Sequence, residues 1–248
     1  MNEHTRFPED NPDLRFIHGH AAHMLGRAIV AGEYAPGRRL PTEMESAEQL
    51  GISRSSYREA TRILTGKGLL ISRPRTGTVV NARSAWNMLD PDILAWMFQA
   101  APVCDDLIRD LFELRMVVEP AAAGLAARRR TAEQLELMTA ALGVMRERTL
   151  ASEAGLAADK QFHTLILEAT GNATFMSLAN GIGAAARWAT IFKNQERELP
   201  RDPIPDHQRL LDAIAAQDPD AARHAASTLL LLAQEDAMMA ISPPALHP

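Results

Sequence analysis

Residues 53–64 read SRSSYREATRIL and set Arg54, Arg58 and Arg62 at a strict four-residue spacing, in a chain whose formal net charge is −5. On a helix, that spacing lays three guanidinium groups along one slowly drifting stripe. Tyr57, Ala60 and Leu64 fall on a different face, where they can pack against a core. The stretch therefore predicts a helix with one buried face and one cationic face. A solvated surface helix is the plain alternative, but within the stretch only Glu59 offsets the arginines.

The flanking residues give that cationic face a setting. Upstream, IHGHAAHMLGRAIVAG (17–32) carries Ile17, Ala21, Met24, Leu25, Ala28 and Ile29 at helical spacing and ends on Gly32. Pro36-Gly37 marks a turn. Thr42 followed three residues later by Glu45 is the pattern of a capping box, opening a second helix that Gly51 closes. Ser53 can cap the helix that follows. Downstream, LLISRPRTGTVVNA (69–82) reads as two short strands around a hairpin at 73–77, with Val79 and Val80 on the return. Three helices and a hairpin make a winged helix-turn-helix.

Charge distribution agrees with a nucleic-acid reader attached to a separate body. Residues 1–83 hold 12 Lys+Arg against 9 Asp+Glu, a net of +3, which leaves −8 for the remainder. At 248 residues and 46% hydrophobic content the chain is long enough for two cores. Its start, MNEHTRFPEDNPDLRF, is acidic and Pro-containing, unlike a secretory signal, and no apolar run approaches the roughly 18–20 residues of a membrane span. Cys104 alone permits neither an intrachain disulfide nor a cysteine-cluster zinc site, so a cytoplasmic location is expected.

After the hairpin the strand pattern stops. Residues 84–102 read as a linker with one short helix opened by Asp90-Pro91. Helices are then predicted near 104–118, 120–129 (Pro120 in a first turn), 131–149, 153–170, 173–197, 206–217 and 219–241. Thr131 with Gln134 forms a second capping box. The expected organisation is a disordered tail at 1–14, the winged domain at 15–83, the linker at 84–102, an all-helical bundle at 103–242 and a tail at 243–248: a mainly α fold. Gly181-x-Gly183 echoes a dinucleotide fingerprint but lies inside a helical stretch with no preceding strand, which removes the required context.

Two resemblances sharpen this reading. GEYAPG at 32–37, LPTE at 40–43, LGISRSSYREA at 50–60 and TGTVV at 76–80 closely resemble the DNA-binding domain of the GntR family of bacterial regulators. ELRMVVEP at 113–120, DKQFH at 159–163, ATGN at 169–172 and HQRLLDAIAAQDPDAA at 207–222 resemble the FCD ligand-binding domain of the FadR subfamily. With WNMLDPDILAW at 86–96, the pattern is most similar to its galactonate-responsive branch. In a winged helix-turn-helix, the helix of 53–65 lies in the major groove. Arg54 and Arg58 are then candidate base readers, since a guanidinium can donate twice to a guanine. Thr42, Ser53, Ser55, Ser56 and Arg62 are candidates for phosphate contacts, and Arg73, Arg75 and Gly77 for the wing. Relatives of this type are dimers, which implies a palindromic double-stranded operator.

For the second domain, Asp159 and His163 stand one helical turn apart and His207 could supply a third ligand, a set suited to one divalent zinc, nickel or manganese ion. Many FCD domains place a further histidine on the last helix where this chain has Leu229. The resemblance makes Arg115 a pocket-facing arginine fit for a carboxylate, with a simple ion pair to Glu119 as its alternative. Asn172 and Arg187 are further polar candidates for a sugar acid. The expectation is a cytoplasmic, dimeric repressor of a sugar-acid operon, released by an aldonate such as galactonate. Alternatives are a lactate-type carboxylate or an acyl thioester as effector. A metal-dependent hydrolase built on Asp159, His163 and His207 is a third reading, which leaves the basic wing unexplained.

Overall fold

A computed structural model describes residues 17–100, 103–196 and 201–241. The tails expected at 1–14 and 243–248 lie outside the described residues. The chain divides into two compact units, Met1–Met88 and Leu89–Pro248, so the boundary falls inside the segment read as a linker.

The first unit contains α1 (Ile17–Val30), α2 (Glu43–Gln49), α3 (Arg54–Gly66), β1 (Leu70–Arg73) and β2 (Gly77–Val80). The two strands are antiparallel, with Leu70 opposite Val80 and Arg73 opposite Gly77. Residues 37–40 add a third, irregular rung through Leu40 N–H to Thr78 O and Val80 N–H to Arg38 O, each 2.9 Å. Ala21, Leu25 and Ile29 of α1 meet Tyr57, Ala60 and Leu64 of α3 in the core, closed by Leu69, Leu70, Val79 and Val80. Burying a side chain the size of Leu64 contributes about 1.5–3 kcal/mol, which fixes the roll of α3 and turns its arginines outward. At Gly68 (φ +81°) an added Cβ would lie 2.1 Å from Ala85 O, so the chain beyond the wing can return to α3 only over a glycine. Trp86 then donates Nε1–H to Asn81 O.

The second unit is helical throughout: α4 (Pro91–Gln99), α5 (Asp105–Arg129), α6 (Ala132–Arg148), α7 (Glu153–Ala169), α8 (Ala173–Met176), α9 (Ala179–Glu196), α10 (Ile204–Ala215) and α11 (Pro219–Ile241). The Asp90 cap and the Thr131–Gln134 capping box form as the sequence predicts. Two boundaries differ. The helices expected at 104–118 and 120–129 are one, with Pro120 buried inside it. An interior proline costs about 3 kcal/mol, and this cost is offset by the continuous buried face running from Leu111 and Phe112 to Ala122, Ala126 and Ala127. The stretch expected as one helix from 173 is instead two. At their junction Ser177 Oγ donates to Thr174 O and Leu178 N–H turns back to Phe175 O, tightening and ending the first turn. Gly181 and Gly183 lie on α9 where a Cβ would meet Leu89 O at 2.7 Å and Lys160 Cγ at 3.0 Å, so both permit close approach of neighbouring backbone or side chains. Phe162, Ile166, Met138, Leu142, Ile214 and Leu229 fill the centre.

Candidate functional site

In the first unit, Ser53 Oγ caps α3 by accepting from Ser56 N–H at 3.1 Å and lies 2.8 Å from both Ser55 Oγ and Ser56 Oγ. Ser56 is buried, so of the three serines Ser53 and Ser55 face solvent. Thr42 completes its capping box: Oγ accepts from Glu45 N–H at 3.3 Å and donates to Glu45 Oε2 at 2.8 Å. Arg54, Arg58 and Arg62 are all exposed along α3. Arg62 grips Glu59 through two bonds of 2.6 and 2.8 Å. Arg58 is held from α2 by Glu43, with 2.8 Å between Nη2 and Oε1, a partner that lies outside the quoted stretch. An exposed pair of this kind contributes about 0.2–1 kcal/mol, less than the roughly 1–3 kcal/mol of a bidentate guanine contact. Arg58 can therefore exchange Glu43 for a base edge at a net gain.

The wing tip carries a second cationic group. Arg73 O accepts from Thr76 N–H at 3.2 Å across Pro74 and Arg75, and Arg75 has φ 65°, the left-handed region where L-residues are strained. Arg73 and Arg75 are exposed on either side of this turn, and Gly77 follows with φ +87°. A Cβ on Gly77 would stand 3.4 Å from Arg39 Nε, which puts a third arginine at the base of the wing. Sequence reasoning missed Arg39; the Arg38-Arg39 doublet ahead of Leu40 was the available signal.

In the second unit, three helices converge on one buried cluster. Asp159 and His163 of α7 and His207 of α10 place their ligand atoms within 4.8 Å of one another, and all are under 5% exposed. His163 donates Nδ1–H to Glu119 Oε2 at 2.7 Å, and His207 Nδ1 lies 2.9 Å from Pro203 O, which can only accept. Both rings therefore carry their proton on Nδ1 and turn Nε2 inward, 3.7 Å (His163) and 3.2 Å (His207) from Asp159 Oδ1. These spacings approach the roughly 3.3 Å edge of a tetrahedron with bonds of about 2.0–2.1 Å. His207 Nε2 is close enough to Asp159 for an ion pair, yet it is buried without the alignment of a hydrogen bond. A neutral ring there opposes a lone pair to a carboxylate, and a cation between them turns that repulsion into ligation. The donor set thus fits a divalent metal, with Glu119 and Pro203 O orienting the imidazoles from behind.

Glu119 is the residue that joins this cluster to α5. It accepts from Arg115 Nε at 2.5 Å as well as from His163, and the Arg115 guanidinium lies 5.4 Å over the Phe112 ring. Burial alone would raise the Glu119 carboxyl, but Arg115 and His163 beside it hold it down at about 2. Asp159 is likewise held well below the usual carboxylate range: burial opposes ionisation, and His207 and His163, when protonated so that an N–H and positive charge face the carboxylate, outweigh it. Lys193 of α9 is also buried; burial pushes its ammonium down to about 8, with Asp159 and Asp236 acting in the other direction.

Arg115 thus stands in the site in the paired form that the sequence left as its alternative. Asn172 caps α8 through Oδ1 to Thr174 N–H at 2.9 Å, and Arg187 pairs with Glu153 at the start of α7 at 2.8 Å; these contacts do not bring either to the cluster. Leu229 is buried on α11 and adds no ligand.

Comparison with known proteins decides the family. Residues 18–80 match the bacterial regulatory proteins of the gntR family, and residues 110–231 match the FCD domain. The galactonate operon transcriptional repressor of Escherichia coli K12 is 35% identical over 83% of this chain and 90% of its own length. This chain belongs to the GntR family and carries an FCD domain. Being a GntR/FCD regulator, it is a transcription factor rather than an enzyme, and the hydrolase reading falls away. The Uxu operon transcriptional regulator of the same organism is 32% identical over 81% of this chain and 78% of that relative. A solved structure of the Listeria monocytogenes regulator Lar matches with a TM-score of 0.65 at 19% identity, covering 90% of this chain and 97% of that one, which supports the fold of the GntR/FCD chain. No helix among the described residues is long and apolar enough to cross a membrane.

Proposed function

We propose that this GntR/FCD regulator is a homodimeric repressor of a sugar-acid operon, and that an aldonate such as galactonate releases it from a palindromic operator. Arg54 and Arg58 read bases, Ser53, Ser55, Thr42 and Arg62 hold phosphates, and Arg73, Arg75 and Gly77 place the wing. One divalent ion, zinc, nickel or manganese, is held by Asp159, His163 and His207. That ion supplies an electrophilic contact for a carboxylate and the hydroxyl beside it. The observation that carries the reading is the pair of inward Nε2 atoms, with both Nδ1 atoms tied off, facing one buried carboxylate. The resemblance to a galactonate operon repressor over most of both chains supports the effector class.

Release follows from linkage: an effector that prefers a bundle geometry unsuited to the operator weakens DNA binding by its differential affinity. A thermal-shift screen of aldonic, uronic and small hydroxy acids, each with and without divalent metal, tests the proposal. A selective rise for aldonates that chelator abolishes is expected. A selective rise for lactate or an acyl thioester, or none with any acid, overturns the aldonate assignment.

A further inference from the structure

The outer face of α5 carries a pattern that packing within the helical unit does not account for. At 3.6 residues per turn, Asp106, Asp110, Glu113, Val117, Ala121 and Arg128 fall within about 40° of one line along the helix, and all six are exposed. Val117, at 74%, is the most exposed large apolar side chain among the described residues. A single exposed valine is ordinary, but a β-branched residue gains nothing in helix propensity at such a position. Half-buried Leu114 and the small Ala121 flank it, so the middle of the stripe is apolar and open to close approach by a second helix. The seventh member of the stripe, Gly124, is buried because Arg223 of α11 crosses it: a Cβ there would stand 2.8 Å from Arg223 Nε and 2.9 Å from its Cζ.

Charge on this stripe is its own complement. Val117 is the midpoint of the 25-residue helix. Asp106 lies eleven residues before it and Arg128 eleven after; Asp110 lies seven before and Gly124, under the Arg223 guanidinium, seven after. A two-fold axis through Val117 therefore sets Val117 against its own copy, Asp106 opposite Arg128 and Asp110 opposite Arg223. Resting on the homodimer reading above, we infer that this stripe of α5 is the contact between the helical units of two copies of the chain, the two helices running antiparallel across the axis. The contact is isologous, and each charge pair occurs twice in it. The acids and bases involved have only exposed competitors: Arg109 holds Asp106 at 2.8 Å and Asp220 holds Arg223 at 2.5 Å, i,i+3 pairs of the kind that exchange readily. The same turns of α5 hold Arg115 and Glu119 inward, with Glu119 against His163, so the candidate metal cluster and the contact between copies are two sides of one helix.

Two readouts on the full-length chain test this. In a Cys104→Ser background, which removes the exposed thiol, Val117→Cys is oxidised with diamide beside Thr139→Cys, an exposed position on α6. Sedimentation equilibrium then compares wild type with Asp106→Arg, Arg128→Asp and the double reversal. Val117→Cys should pass largely into a disulfide-linked dimer while Thr139→Cys does not. Each single reversal should weaken dimerisation by roughly 10- to 100-fold, because attraction becomes repulsion at two places, and the double reversal should restore it. Within one chain the two positions are about 33 Å apart along the helix, so restoration can arise only between copies. Far-UV circular dichroism should be the same for every variant, since each altered side chain is exposed. A wild-type dimer in which Val117→Cys stays unlinked, or in which the double reversal is no tighter than the singles, overturns the α5 contact and leaves the homodimer reading standing. A monomeric wild type overturns both.

Discussion

Replacing Glu119 by glutamine removes the one charge that Arg115 and His163 share while keeping the shape of the side chain. The carboxyl sits at about 2 rather than near 4.5, a difference worth about 3 kcal/mol of stability at neutral pH. Independently, breaking a buried ion pair by removing one partner costs about 3–5 kcal/mol, so both routes give the same size of effect. Because the folded value is depressed, the contribution is complete above pH 4.5 and is lost as pH falls toward 2. Urea unfolding of the metal-free full chain, followed by far-UV circular dichroism, reads it. At pH 7 the midpoint for the helical unit should fall by on the order of 1 M. The gap between wild type and Glu119→Gln should narrow below pH 4.5. A variant as stable as wild type at pH 7, or a gap that widens on acidification, would refute the assignment of Glu119 as the ionised hub. In the zinc-loaded protein the same change should weaken metal by roughly 10- to 100-fold, as loss of an imidazole-orienting carboxylate does.

Other consequences follow from the same contacts. Arg58→Ala should abolish discrimination between specific and random duplexes while leaving effector-induced stabilisation intact; parallel loss of both, read by anisotropy and thermal shift, would mean that the unit had unfolded. Glu43→Gln frees Arg58 and removes a negative charge beside the groove. It should tighten binding to random DNA and reduce the preference for the operator, and an unchanged preference would contradict the positioning of Arg58 by Glu43. Asp159→Ala with His207→Ala should eliminate bound metal and the effector response but retain operator binding. Effector affinity surviving in that double variant would sink the metal-assisted site.

The recognition unit was largely legible because its signals are local. Thr42 with Glu45, Ser53 before α3, and Pro74 with Gly77 in the hairpin each settle their own backbone within four residues. Asp159 and His163 were legible for the same reason, being one turn apart. The run through Pro120 was not, because proline's local preference to end a helix is overridden by packing on both sides, which spacing does not report. Glu119 could be read as a partner of Arg115 at i+4, but its second bond, to His163, exists only because α5 lies against α7. Lys193 carried no signal at all, since a lysine in a helix ordinarily reaches solvent and its burial depends on how α9 sits against Asp159 and Asp236. Arg187 looked polar enough for a ligand and instead ties α9 to the start of α7.

The central claim is that the buried cluster of the second unit controls the cationic face of the first. A palindromic duplex selected from a random pool, labelled and titrated with the full-length protein, tests this by fluorescence anisotropy with D-galactonate added in the presence of zinc or of chelator. Galactonate with zinc should weaken operator binding by roughly 5- to 150-fold, the range of ordinary allosteric coupling, and chelator should abolish that effect. Operator affinity indifferent to galactonate, or weakened equally with and without metal, would contradict a metal-assisted effector site built on Asp159, His163 and His207.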